Sequence, residues 1–208
     1  ERENIMRHDE LKKFCRDNDV RPYVREPFRL ADGRVAATNG WAIIIASEYD
    51  GDKDALMAAP ANVESTMASK ALAWSDVAQW IDVSSLDMTL LKCDTCKGTG
   101  RARRMVCESC DGEGFFEHHG HDYDCKNCEN GYIYGQGDEE TCDDCSGTGH
   151  KQSPMKIAGM GDKYGADARL IAMLPAGAKI SPCEGDMLQV SGDGYTGFIM
   201  GYRLDKGY

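Results

Sequence analysis

Hydrophobic positions at helical spacing open the chain. Leu11 and Phe14 fall on one side of a helix predicted near His8 to Arg16. The pattern then changes period. In "PFRLADGRVAATNGWAIIIAS", Phe28 and Leu30 alternate, a turn sits at Asp32-Gly33, and Val35 and Ala37 resume the alternation. After Asn39-Gly40, Trp41, Ile43 and Ile45 share one face of a further strand. Residues 50–68 read as a loop of small and acidic residues, and Ser75 caps a short helix with Val77, Ala78 and Ile81 inward. "MTLL" is a strand leading into Cys93, and "MKIAGM" is a strand after the cysteine-rich stretch. Ala166 to Leu174 reads as a helix ended by Pro175 and Gly177. Three strands close the chain: "AKISP", "DMLQVS" and "TGFIMGYRL", the last with Phe198, Met200, Tyr202 and Leu204 on one face. Nothing in these flanks repeats. The order predicts an α+β domain made of residues 1–92 plus 151–208, with residues 93–150 inserted as a separate arm.

The inserted stretch carries the chemistry. "CDTCKGTG", "CESCDGEG", "CKNCENGY" and "CDDCSGTG" place eight of the ten cysteines in four C-x-x-C pairs. Two residues between cysteines let both sulfurs point at one ion from a tight turn. The glycines that follow permit positive φ, so backbone amides can turn toward the thiolates. Two pairs supply the four thiolates of a closed structural zinc shell, so four pairs predict two Zn2+ ions per chain. Structural disulfides are the competing reading. Cys15 and Cys183 are left over and read as small buried hydrophobes.

The fourfold C-x-x-C-x-G-x-G pattern from Cys93 to Gly149 resembles the cysteine-rich region of DnaJ-type chaperones. Cys93, Cys96, Gly98 and Gly100 match fully, as do Cys107, Cys110, Gly112 and Gly114, and Cys142, Cys145, Gly147 and Gly149. The third motif departs: Cys125 and Cys128 are followed by Asn130 and Tyr132 where glycines are expected. The resemblance implies nested pairing in an extended V-shaped hairpin arm. Cys93, Cys96, Cys142 and Cys145 would form one zinc site, and Cys107, Cys110, Cys125 and Cys128 the second, farther out. Nesting also brings the ends of the arm together, so it can interrupt a domain without breaking it.

Two resemblances compete for the flanks. "VAATNGWAIIIA" looks like a strand-turn-strand signature of the bacterial DNA sliding clamp (processivity factor). "ARLIAMLP" with strands ending in "FIMGYRL" looks like the end of a clamp domain, and "RHDELKKF" stands where its first helix would. Asn39, Gly201 and Tyr202 depart from the usual clamp residues. The alternative is the DnaJ substrate-binding β-domain, distantly echoed by "LPAGAKISPCEGDMLQVSGDG". Three amphipathic helices fit that domain poorly, and "RHDE" is not the His-Pro-Asp loop of a J domain.

Charge narrows the partners. The net charge is −11, and residues 93–150 hold 5 Lys and Arg against 13 Asp and Glu. Affinity for nucleic acid comes from cations at phosphates. Arg7, Lys12, Lys13 and Arg16 give the first helix some positive charge, but Asp76, Asp82 and Asp167 stand against Arg169 in the other two. Two zinc ions with eight thiolates leave each site at −2, and Arg101, Arg103 and Arg104 balance them. DNA contact is therefore expected only through an oligomer or a partner.

His118, His119 and His121 read as a solvated turn at the tip of the arm. Phe115 and Phe116 are either a contact surface for a protein or packed locally. Zinc enclosed by four cysteines has no open position for substrate, and no catalytic motif accompanies it. An exposed thiolate could do redox chemistry, but zinc ligation competes with disulfide exchange. No apolar run nears the roughly 20 residues of a membrane span, and no secretory signal opens the sequence. The expectation is a cytoplasmic, non-enzymatic protein. Its clamp-like scaffold would present a zinc arm to a protein or peptide, in phage or bacterial DNA replication or repair. The alternative is a chaperone-like module for unfolded polypeptide.

Overall fold

The isoleucine run that reads as one strand lies at the centre of a large sheet. The computed structural model describes residues 5–72, 79–160, 164–183 and 187–204. Contacts divide the chain into two units, Glu1–Leu91 with Gln152–Tyr208, and Lys92–Lys151.

In chain order, the first unit begins with helices α1 (His8–Lys12) and α2 (Pro22–Arg25) and strands β1 (Phe28–Arg29), β2 (Val35–Thr38) and β3 (Ala42–Ala46). Helix α3 (Ala61–Leu72) and strand β4 (Ile81–Asp82) follow. The second unit holds β5 (Arg101–Val106), β6 (Phe115–His118), β7 (His121–Asp124) and β8 (Tyr132–Thr141). The first unit then resumes with β9 (Pro154–Met155), β10 (Tyr164–Asp167), α4 (Ala168–Ala172), β11 (Lys179–Cys183), β12 (Met187–Gly192), β13 (Tyr195–Met200) and β14 (Tyr202–Arg203). The result is mostly antiparallel sheet with a few helices, three of them little more than a turn.

The main sheet has the order β1-β2-β3-β13-β12-β11-β4. It joins two meanders, β1-β2-β3 and β11-β12-β13, through their third strands, with Gly197 opposite Ile44. A short helix precedes each meander. Leu11 from α1 and Leu170 and Ile171 from α4 enter one apolar cluster with Ile44, Leu188, Val190 and Ile199. The expectation that nothing in the flanks repeats is therefore corrected at the level of architecture: the order helix then three strands occurs twice. The opposite sheet face buries Phe28, Leu30, Ala36, Ile43, Ile45 and Phe198, with Val63 of α3 packed against them. Both faces of β3 are thus covered, and all five of its residues are buried. An uninterrupted apolar run is what such a strand requires.

Several local expectations hold. Leu11 and Phe14 are fully buried, and Asn39 closes its turn by accepting the N–H groups of Trp41 and Ala42 at 2.9 Å each. Others are corrected. Residues 50–68 are not all loop: Pro60 starts α3, its carbonyl accepting the N–H groups of Val63 and Glu64 at 2.9 and 3.1 Å. Ile81 packs inward, but from a strand paired with β11 rather than from a helix. Ser75, Val77 and Ala78 lie outside the described residues. "MTLL" is irregular, and of "MKIAGM" only Met155 is in a strand. Trp41 is half exposed and lines the same cavity as Ile43, Val63 and Phe198. The last strand breaks at Gly201. Phe198 is buried in the main sheet, whereas Tyr202 belongs to the separate sheet β14-β10-β9. Either side of the insertion, Ser153 Oγ donates to the Thr89 carbonyl at 3.1 Å, so the first unit's two cut ends lie side by side.

A methyl group at Gly197 would stand 2.3 Å from the Ile43 carbonyl oxygen. Gly197→Ala should therefore cost about 2 kcal/mol through strain in the sheet. A lowered midpoint in urea unfolding would register this; an unchanged midpoint would show that β3 and β13 can separate freely.

Candidate metal centre

The cysteine-rich unit is built on the antiparallel ribbon of β5 and β8, with the β6–β7 hairpin between those two strands in sequence. Each C-x-x-C pair occupies a tight turn, and the turns meet in twos. Cys93, Cys96, Cys142 and Cys145 form one group, and Cys107, Cys110, Cys125 and Cys128 the other, with all sulfurs of a group within 4.8 Å of one another. All ten cysteines are free thiols. In the inner group Cys93 and Cys142 sulfurs are 3.9 Å apart and Cys96 and Cys145 3.7 Å. In the outer group Cys107–Cys125 is 3.9 Å and Cys110–Cys128 3.6 Å. A tetrahedral zinc–thiolate shell with bonds of about 2.3 Å puts its sulfurs about 3.8 Å apart, so both groups fit such an ion.

Backbone geometry explains the meeting. The first cysteine of each turn donates its N–H to the partner turn: Cys93 to the Gly149 carbonyl and Cys142 to that of Gly100, both at 2.9 Å. The outer group repeats this reciprocity, Cys107 to Gly131 and Cys125 to Gly114, both at 2.8 Å. The two backbones run so close that a Cβ on Gly100 would stand 2.3 Å from the Gly147 oxygen, and one on Gly149 2.5 Å from the Gly98 oxygen. At the base, Lys92 bridges His150 and Lys151 pairs with Asp94 at 2.6 Å, closing the neck of the unit.

The third turn was expected to differ, and it does so in a way "Asn-Gly" could have signalled. Asn130 and Gly131 both take positive φ, at 49° and 87°. Glu129 and Tyr132 exchange both backbone hydrogen bonds around them, at 2.9 and 3.0 Å, the geometry of a two-residue primed hairpin. Gly131 thereby stands in for the missing last glycine, one residue early.

The thiols do not titrate alike. Burial opposes ionisation of Cys96, but the N–H groups of Gly98 and Gly100 outweigh it and bring the thiol down to about 7. Burial, then the neighbouring Cys145 and Cys93, pushes Cys142 well up. Desolvation, then Cys125, Cys110 and Cys107, pushes Cys128 up to about 12. Four thiols this close cannot all ionise without a cation among them.

Arg104 does not answer the thiolates as expected. Its largely buried guanidinium pairs with Glu140 and, at 2.5 Å, with Asp143, and it lies 4.1 Å over the Tyr132 ring. Arg101 donates to the Glu139 carbonyl at 3.0 Å. The ribbon register jumps between Arg103 and Arg104, so residues 135–138 bulge out of β8. Sequence reasoning missed the Arg104–Tyr132 stack and the bulge. Gly135 and Gly137 within it, both at positive φ, were the available signal for the bulge.

Between the outer cysteine pairs, β6 and β7 form a hairpin exposed on both faces. His118 and His121 pair across it and His119 occupies its turn with its ring 4.1 Å from that of His118. The described residues place these histidines in neither metal-binding group. Phe116 faces Tyr123 across the strands, and Phe115 faces Asp124. Phe115, Phe116 and Tyr123 are 39%, 44% and 54% exposed, so local packing does not absorb them.

No protein-family model matches this chain, and neither a curated protein nor a solved structure does.

Binding a divalent ion must displace protons from the raised thiols. Affinity therefore rises with pH, and metal is shed as the pH falls. Calorimetry in buffers of different ionisation enthalpy should count more protons released per ion at about pH 7.5 than at about pH 9.5, where more thiols are already ionised. A count independent of pH would remove thiols from the ligand set.

Proposed function

We propose that this is a non-enzymatic zinc protein in which a clamp-like scaffold carries a DnaJ-like two-zinc module for protein–protein interaction. The observation that carries the reading is the pair of tetracysteine groups, each at zinc–thiolate spacing, with an exposed aromatic hairpin between the outer pairs. Closed shells of four thiolates have a structural role: they hold a thin unit that has almost no apolar core of its own. What such a unit then offers is surface. Val106, Phe115, Phe116 and Tyr123 supply the exposed apolar area.

The scaffold supports a place near DNA replication or repair, in a phage or bacterial setting. The second helix-and-meander copy is formed by the segments that resemble the end of a clamp domain, and "VAATNGWAIIIA" forms β2, its turn and β3. Contact with DNA would come through an oligomer or a partner. No described helix is long and apolar enough to cross a membrane. Free thiols as ligands suit a reducing compartment, and cytoplasmic residence is part of the proposal. The exposed Phe116–Tyr123 pair also favours a second reading, a chaperone-like module that holds unfolded polypeptide.

Native mass spectrometry should find two zinc ions per chain. Cys107→Ser should lose the outer ion alone, at Cys110, Cys125 and Cys128. A metal-free protein with intact function would end the zinc reading, and loss of the inner ion from this variant would break the nested pairing.

Replacing residues 93–149 by a short Gly/Ser loop should leave a cooperatively folding first unit, because Thr89 and Ser153 already lie together. The shortened protein should lose partner binding. One defined partner supports the adaptor, whereas broad binding to chemically unfolded chains supports the chaperone-like reading. Undiminished binding would move recognition to the first unit.

A further inference from the structure

The two tetracysteine groups are not equivalent, and the difference traces to one residue of chain length. In three of the four turns the second cysteine accepts the N–H of the last glycine: Gly100 to Cys96, Gly114 to Cys110 and Gly149 to Cys145, each at 3.3 Å. The remaining turn, the third in the chain, has Tyr132 at that place. Its N–H is spent on the Glu129 carbonyl at 3.0 Å, inside the Asn130-Gly131 hairpin turn. In place of that bond Cys128 has the Gly131 N–H, three residues on. It is also the one ligand of the eight that is partly exposed; the other seven are buried.

Hydrogen bonds to a metal-bound thiolate draw off negative charge and lower its nucleophilicity, and burial shields it from reagents. Cys128 has less of both. The Cys110 sulfur lies 3.6 Å away on the partner turn.

We infer that Cys128 is an oxidant-sensitive modification site, through which the outer centre gives up its metal while the inner centre holds. This rests on the zinc reading above. A peroxide supplies the oxidant. The Cys128 thiolate attacks one peroxide oxygen, the O–O bond breaks, hydroxide leaves, and a sulfenic acid remains on sulfur. The Cys110 thiolate then attacks that sulfur and expels the hydroxyl as hydroxide. Two thiolates have lost two electrons to the peroxide, and each hydroxide takes up a proton to become water. The product is a Cys110–Cys128 disulfide, and the ion, left with two thiolates, departs as Zn2+. The β6–β7 hairpin, which lies between Cys110 and Cys125, exchanges a four-thiolate metal anchor for a single disulfide in the same step. The outer centre thereby ties the exposed aromatic surface to the redox state, whereas the inner centre keeps the neck closed.

The zinc-loaded full chain, its metal content counted beforehand, would be treated with limiting hydrogen peroxide. A chromophoric chelator would report release, and peptide mapping would locate the first oxidised cysteines. The expected result is two phases of one ion each, the first about tenfold faster. The first disulfide should join Cys110 and Cys128. The double variant Asn130→Gly, Tyr132→Gly restores the C-x-G-x-G spacing and should slow the fast phase toward the slow one. A single phase for both ions, first oxidation at an inner cysteine, or a double variant with an unchanged fast phase would each overturn the inference and leave the zinc reading standing. A chain that holds no zinc at the outset would overturn both.

Discussion

Two backbones cross at each cysteine cluster, and the cysteine-rich unit depends on that contact. Four sulfurs can reach one small cation only if the turns that carry them nearly touch. The Gly100–Gly147 and Gly149–Gly98 approaches leave no room for a Cβ on Gly100 or Gly149. The glycines of the repeat are thus set by close packing between turns as much as by positive φ within them. The reciprocal bonds from Cys93 and Cys142 then fix which turns pair. Pairing the first turn with the last also decides where the chain enters and leaves, at Lys92 and His150. A unit whose ends meet can sit in a loop of another domain at little entropic cost.

The first unit answers a comparable demand in its sheet. Joining two meanders through β3 and β13 puts those strands in the middle, where side chains on both faces must be apolar. Ile44 and Ile199 face one cluster, while Ile43, Ile45 and Phe198 face the other. The two short helices α1 and α4 both supply the first cluster, and neither is long enough to be stable alone. Their helicity comes from packing, helped by side-chain caps such as Asp167, which accepts the Arg169 N–H at 3.0 Å and pairs with its guanidinium at 2.6 Å.

Charge in the cysteine-rich unit is arranged around one guanidinium. Arg104 holds Glu140 and Asp143 against the ribbon while its face lies on Tyr132. That ties β5 to β8 beside the inner centre through a guanidinium largely withdrawn from water, while its two carboxylate partners stay partly exposed and are screened by solvent. Tyr132 serves two ends, since its backbone also closes the shortened third turn. The weaker hydrogen bonding at Cys128 and the stacking under Arg104 therefore come from the same residue.

The cysteines that gather into two groups able to hold a metal ion were legible from sequence alone. C-x-x-C spacing and the following glycines are local chemistry, and a tight turn needs no distant partner to aim two sulfurs. Which turns would pair came from resemblance, because spacing cannot choose among pairings. Strands with strict alternation and Asn-Gly or Asp-Gly turns were legible for the same local reason. Leu11 and Phe14 were also placed correctly, yet α1 ends at Lys12, short of the reading, since helix ends follow packing. Tertiary structure decided the rest. Residues 50–68 carry no strong apolar period, and α3 forms there with Val63 against the sheet. Ile81 was read at helical spacing and became a strand because β11 offers it an edge. Tyr202 was read as continuing Phe198 and Met200, and the chain leaves the sheet at Gly201 to pair with β10. The repeated helix-and-meander order is visible in no pair of quoted residues, because burial on a sheet face constrains polarity and size rather than identity.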